Sequence, residues 1–559
     1  MRLSSARRRP SGATAPLTAD ACPLLASGVA FEKTGEGASW IALIHGVPSS
    51  RVSRPVVDLL AAMDGRTALH ELHRRFAAAE SIESFLELVG RFRDSGLLEG
   101  AGKLPPGRVS YRPPFTLQIA TLRAPALFGR LDRLVIPLPP RALLVSGAVV
   151  LGSGILAAIV QAEELWEVVT RPLPLSGFVI LVAALSLTTL LHESAHGLTL
   201  TRFGGRPRRA GFMLFYLTPA FFVDVTDGWR LSDRRQRVAV ALAGPAVHAV
   251  VAAIALVGAL IVPQPAVRQT LQLLGLSCAV IVGINLVPFV RFDGYIALMS
   301  ALDEPNLRGR TIRDGANFLT RLLFGGKRVS RSLQAWWSVP FGLASLIAPV
   351  VLVLFAVART VQALAGGGAV LGLFVVALEA VVLVTGVVLL SRALRRVLRS
   401  GVSRLRFLSV CAALVSSIAI AGILIPVPVT ATYGFSADED GVVLVRADAE
   451  APADVPDDAP VALLSRGILA YEQLGEGRAR PQRAEPTTVP LEALFPVRAD
   501  GVAVPAVIVA RVDVSEKRES LPATGQARVE TGVENLWQTL WAVGVVAPLS
   551  PLRGTERKG

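Results

Sequence analysis

The chain has little cysteine and no cysteine pair. Cys22, Cys278 and Cys411 are the only three in 559 residues, and they are far apart with no CxxC. That argues against a disulfide framework and against a thiolate zinc site. Cys278 and Cys411 fall in apolar runs and read as packing residues. Charge is scarce too: charged residues make up 18% and hydrophobic residues 52%, with a mean hydropathy of +0.52. This is too apolar for a soluble protein and points to several membrane spans. Acidic residues are outnumbered, leaving a net charge of +14, mostly from arginine. The surplus does not read as a nucleic-acid surface, because the arginines cluster between apolar runs as they do in cytoplasmic loops. The basic start, MRLSSARRRPSG, has no apolar core behind it. No secretory signal is read there, and the N-terminus is expected in the cytoplasm.

What is present falls into blocks. Residues 1–20 read as disordered. Residues 21–100 read as a small soluble domain, with a strand at 39–46 followed by three short amphipathic helices, a winged-helix-like pattern. Residues 101–140 read as a Pro- and Arg-rich connector. Long apolar runs predict seven spans, near 143–162, 175–199, 238–262, 270–291, 338–358, 369–391 and 407–427. Each is long enough to cross about 30 Å of hydrocarbon at about 1.5 Å per residue. Segments 202–237, 301–335 and 392–406 carry eight, seven and six basic residues. Segment 163–173 sets Glu163, Glu164 and Glu167 against Arg171. The positive loops belong inside, which puts the C-terminus outside. Residues 429–559 contain short Val-rich runs broken by Pro, Asp and Gly, and predict an all-β extracytoplasmic domain. The segment ENLWQTLWAVGVVAPLSPL near the end reads as an interfacial helix. The expected class is thus mainly α and polytopic, with small domains at both ends: a membrane core at 141–300, further helices and loops at 301–428, and no internal repeat.

The chemistry concentrates in LLHESAHGLTLTRFGG, Leu190 to Gly205, at the end of the second predicted span. His192 and His196 are four apart, so a helix projects them from one face, one turn apart. Two imidazoles so placed can share a zinc ion, and Glu193 beside them can take a proton from a water that the metal activates. Ionisable residues inside a span are costly and usually functional. The bland alternative is a set of polar helix-end residues facing the cytoplasm. A catalytic zinc typically takes three protein ligands and leaves one position open. Asp293, in NLVPFVRFDGY, is expected at the same depth and is the candidate third ligand. Alone it would read as a loop aspartate before a turn glycine. Glu379, inside the sixth span, needs a partner or a proton.

HESAHGL with FGG, then Gly244-Pro245, then NLVPFVRFDG resembles the site-2 protease family of intramembrane zinc metalloproteases, over roughly residues 175–300. The resemblance implies that His192, His196 and Asp293 hold Zn2+ and that Glu193 activates water. Phe215 to Arg237 is similar to the bacterial peptide zinc metalloprotease branch of that family. One departure is His248, where the family often has an asparagine that helps bind the substrate backbone. His248 then either positions substrate or is a satisfied helix histidine; Asn285 is a second candidate for substrate positioning. The N-terminal block resembles the PqqD-like domains that grip leader peptides by strand addition, and a DNA-binding winged helix is the alternative. His70 and His73 read as solvent-facing, and His45 as a strand residue. The pairing of domains implies leader removal from a ribosomally made peptide precursor, as in the daptides, whose membrane metalloprotease this chain resembles. The expected partners are the lipid bilayer, a peptide or membrane-protein substrate, and peptide-modifying or export proteins, with no nucleic acid. Two rival readings stand beside this one. The first is cleavage of a single-pass regulator such as an anti-sigma factor, which usually goes with an inserted PDZ domain not seen here. The second is a non-enzymatic export or immunity protein.

Overall fold

The computed structural model describes residues 17–546, apart from 34–38, 45–46, 100–107, 113–115, 135–138, 216–217, 326–330, 365–367, 439–440, 448–454, 468–469 and 515–520. The expectations for residues 1–16 and for His45 lie outside the described residues. The chain is mainly helical, with seven helices long and apolar enough to cross a membrane and a β-rich C-terminal region. It divides into two units, one of 1–137 with 189–244 and one of 138–188 with 245–559.

The first unit opens with an antiparallel sheet of β1 (Val29–Lys33), β2 (Ser39–Ile44) and β3 (Val47–Ser53), then α1 (Arg54–Ala61), α2 (Leu69–Phe76) and α3 (Ile82–Asp94). Pro55 in the first turn of α1 costs no hydrogen bond there. The chain leaves α1 through Gly65 at φ +78°, a conformation cheap only for glycine. Asp64 accepts the backbone N–H groups of Arg66 and Thr67, each at 2.9 Å, which locks the turn. The Ser81 hydroxyl accepts the Ser84 N–H at 3.3 Å and caps α3. Ala42, Leu60, Leu69, Phe85 and Val89 are fully buried between sheet and helices.

Residues 101–140, expected as a connector, carry β4 (Val109–Arg112), β5 (Thr116–Thr121) and α4 (Ala124–Leu134). The next elements in the chain are α5 (Pro140–Val160), α6 (Ala162–Thr170), β6 (Leu173–Pro174) and α7 (Leu175–Arg202). Then β7 (Ala210–Phe215) and β8 (Thr218–Val223) pair with the earlier strands in the antiparallel order β4-β5-β7-β8. Gly211 permits a close approach of β5 and β7, since a Cβ there would lie 2.2 Å from the Ile119 carbonyl oxygen.

Among the described residues seven further helices follow before the β-rich region: α8 (Arg234–Ile261), α9 (Pro265–Asn285), α10 (Asp293–Ala301), α11 (Leu307–Phe324), α12 (Ser338–Leu364), α13 (Gly368–Arg399) and α14 (Arg404–Leu424). The helices long and apolar enough to cross a membrane are α5, α7, α8, α9, α12, α13 and α14. Small residues set their crossings in the second unit. A Cβ on Gly154 would lie 2.4 Å from the Cβ of Ala253, so α5 and α8 meet almost backbone to backbone. Gln272 donates to the side chains of Gln161 (2.9 Å) and Glu164 (3.0 Å), while Gln161 donates to the Leu256 carbonyl (2.9 Å). These buried amides tie α5, α6, α8 and α9 together, and each has a partner, as burial demands.

The Val-rich C-terminal region is a closed six-stranded barrel. Its strands are β9 (Pro426–Asp438), β10 (Gly441–Arg446), β11 (Ala459–Leu464), β12 (Gln473–Pro490), β14 (Ala503–Val514) and β15 (Thr524–Asn535), in the order β10-β14-β12-β11-β15-β9. Closure removes free edges. Phe435, Leu444, Leu463, Ala510 and Val529 fill the interior. Between β12 and β14, the short β13 (Val497–Arg498) pairs in parallel with β6, and the Ala470 N–H donates to the Val169 carbonyl at 3.2 Å. The barrel is thereby fastened to the segment immediately before α7. After β15, Leu536–Trp541 is helical, and Trp537 donates its indole N–H to the Ala419 carbonyl of α14 at 3.2 Å.

Candidate metal centre

The metal-ligating pair sits on α7, 28 residues long and apolar until its last turns. His192 and His196 are both 6% exposed. Their Nε2 atoms are 3.2 Å apart. His196 Nδ1 is 2.7 Å from the Val240 carbonyl oxygen of α8. A carbonyl only accepts, so Nδ1 donates to it, which leaves Nε2 as the nitrogen that faces His192. A hydrogen bond from the distal nitrogen is the usual way a metal-ligating histidine is oriented. Two nitrogens on one tetrahedral zinc stand about 3.3 Å apart, given bonds of about 2.0–2.1 Å. The observed spacing fits that arrangement.

Gly244 faces this pair. A Cβ there would lie 2.4 Å from His196 Nε2 and 2.5 Å from His192 Nε2. Only glycine leaves the space in front of the two nitrogens clear. Asp293, the first residue of α10, supplies the third group: its ligand oxygen and one nitrogen of each histidine all lie within 4.8 Å of one another. An N, N, O donor set of this kind, with both histidines buried and the aspartate half-buried, suits zinc or another divalent transition metal.

Glu193 is half-buried, and its Oε2 accepts the Val223 N–H at 3.1 Å. Val223 ends β8, an edge strand of its sheet. The Asp224 N–H is used inward, on the Arg209 carbonyl at 2.7 Å, so the preceding N–H points out of the sheet toward α7. A one-turn 3-10 helix, Thr226–Arg230, braces this end of β8. Asp227 in it is 2% exposed; it accepts the Arg206 N–H at 2.9 Å and pairs with Arg208 and Arg230, both at 3.5 Å. Arg230 also pairs with Glu32 of β1, and that hydrogen bond, with the charge of Asp227, raises its pKa further above the ordinary guanidinium value.

Of the residues singled out in the sequence, His192, His196 and Asp293 come together. His248 lies on α8, 2% exposed, and is not one of that group. Asn285 is the half-buried last residue of α9. His70 Nδ1 is 3.3 Å from the Ala19 carbonyl, and His73 Nε2 is 2.8 Å from that of Glu80, so both serve local structure. The Val240 carbonyl, the Val223 N–H and Asp227 are supports that no side-chain pattern announces. No family model matches the chain, and no curated protein or solved structure matches it either.

Proposed function

We propose that this chain is an intramembrane zinc metalloprotease of the site-2 protease type, acting on the precursor of a ribosomally made, modified peptide. The observation that carries the reading is the paired Nε2 atoms of His192 and His196, 3.2 Å apart and oriented through Val240, with Glu193 beside them. His192, His196 and Asp293 would hold the metal. Zinc, when bound, supplies Lewis acidity for a peptide carbonyl and for water. Glu193 takes the proton from the attacking water and returns it to the leaving amine. Its hydrogen bond from Val223 keeps one carboxylate oxygen fixed while the other serves as the base. The outer edge of β8 has no strand partner among the described residues and offers backbone groups to an extended peptide beside Glu193.

In this reading the arginine-rich segments face the cytoplasm and the barrel lies outside. The three-stranded sheet at the N-terminus grips the leader of the precursor, and the ion pair of Glu32 with Arg230 joins that sheet to the brace behind β8.

A trap tests this. The Glu193→Gln variant, expressed in the native host and crosslinked, should retain a short precursor peptide that wild type releases, identified by mass spectrometry. Deleting residues 1–100 should abolish its capture. Recovery of a single-pass membrane protein would favour the regulator reading. Failure to enrich any polypeptide, with the native phenotype intact in Glu193→Gln, would reject proteolysis.

A further inference from the structure

α4 presents two different faces. On one, Ala124 and Phe128 are 0% and 2% exposed and pack with Leu198, Ala210 and Val223. The Phe128 ring lies so close to α7 that a Cβ on Gly197 would be 2.7 Å from it. The other face carries Leu127, Leu131 and Leu134, which are 47%, 36% and 78% exposed. Spacings of four and three put them on one stripe. Leu122, just before the helix, is 50% exposed. Arg123, Arg130 and Arg133 are exposed alongside, and the one acid of the helix, Asp132, is engaged by Arg202 at 3.4 Å. An uncovered leucine stripe flanked by arginines is the composition of a helix that lies in a membrane interface.

The chain itself says which surface covers it. Five residues separate Leu134 from Pro140, the first residue of α5, which makes six Cα-to-Cα steps. Six such steps reach about 20 Å at most. α4 is thus tethered within that distance of a point where the chain enters the bilayer. We propose that α4 lies in the plane of the bilayer surface, with its leucines among the acyl chains and Arg123, Arg130 and Arg133 on anionic lipid headgroups. Phe128, on the adjoining face of the same helix, joins this lipid contact to α7 at Gly197, next to His196. The proposal does not depend on the protease reading.

The test uses the full chain in lipid nanodiscs, with its three native cysteines replaced and a fluorophore placed by Leu131→Cys or, as a water-exposed reference, Glu83→Cys. Brominated acyl chains should quench the label at 131 and leave the label at 83 unaffected. At equal mole fraction, brominated phosphatidylglycerol should quench at least about twofold more than brominated phosphatidylcholine, since each basic residue near an anionic surface adds about 1 kcal/mol of attraction. Quenching at 131 no greater than at 83 would overturn the proposal. Equal quenching by the two lipids would overturn the assignment of the arginines to headgroups. Energy transfer between labelled copies, lost on dilution with unlabelled chain, would overturn it in favour of a second copy.

Discussion

At the scale of single residues, the account turns on Gly244 as much as on the histidines. Gly244→Ala adds one methyl group where 2.4 Å separates its Cβ position from His196 Nε2. The substitution suits a helix interior, so folding should survive while the histidines are forced apart. Bound zinc should fall at least about tenfold, the loss typical when the groups that orient metal ligands are disturbed. Metal analysis on protein of unchanged thermal stability checks this. The histidines themselves were legible, because a spacing of four on an apolar helix is a geometric statement. Their orientation was not: the Val240 oxygen that fixes His196 is a backbone atom, and any residue at 240 would supply one. His248 is less decided by the sequence. Its residue type admits either a substrate-positioning group or a satisfied helix histidine, and the structure places it, 2% exposed, on α8.

At the scale of elements, the joint between α11 and α12 carries a testable charge. A Cβ on Gly342 would lie 1.9 Å from the Thr311 carbonyl oxygen, so these helices touch backbone to backbone. Asp314 of α11 accepts hydrogen bonds from the Ser338 hydroxyl and from the N–H groups of Ser332 and Leu333, the last at 3.1 Å. Burial alone would raise its pKa, but these three bonds outweigh burial and hold it below the ordinary carboxylate value. A carboxyl lowered in this way stabilises the fold above its unfolded pKa of about 3.9 and loses that contribution as pH falls through the lowered value. Asp314→Asn should therefore cost about 1–3 kcal/mol near neutral pH. The gap to wild type in thermal unfolding should close below about pH 4.

Elements were unevenly legible for reasons of periodicity. The spans showed themselves by length and apolar composition. β4 and β5 did not, since β4 is an edge strand, where arginine is tolerated, and the partner of β5 lies some ninety residues on in β7. In β12 the inward positions Gly475, Gly477 and Ala479 are small and the outward ones, Glu476, Arg478 and Arg480, are charged. Alternation is present there without the apolar bulk that makes it visible. Gly477 must be small, because a Cβ would lie 2.6 Å from the Asp513 carbonyl oxygen of β14.

At the scale of the whole molecule, the described residues combine seven helices long and apolar enough to cross a membrane, a closed C-terminal barrel and a histidine pair on one of those helices. Mean composition was enough to read the membrane class, and Val-rich runs between turn residues were enough to read a β-rich end. The fastening of β13 to β6 was not readable, since two-residue strands more than three hundred positions apart carry no pattern. The central claim is that His192, His196 and Asp293 hold one catalytic zinc. The most direct test is zinc content per chain after purification in detergent with a weak chelator. The account predicts about one zinc per chain in wild type and in Glu193→Gln, and almost none in a His192→Ala, His196→Ala double variant. Wild type without zinc, or a double variant that keeps it, would contradict the account.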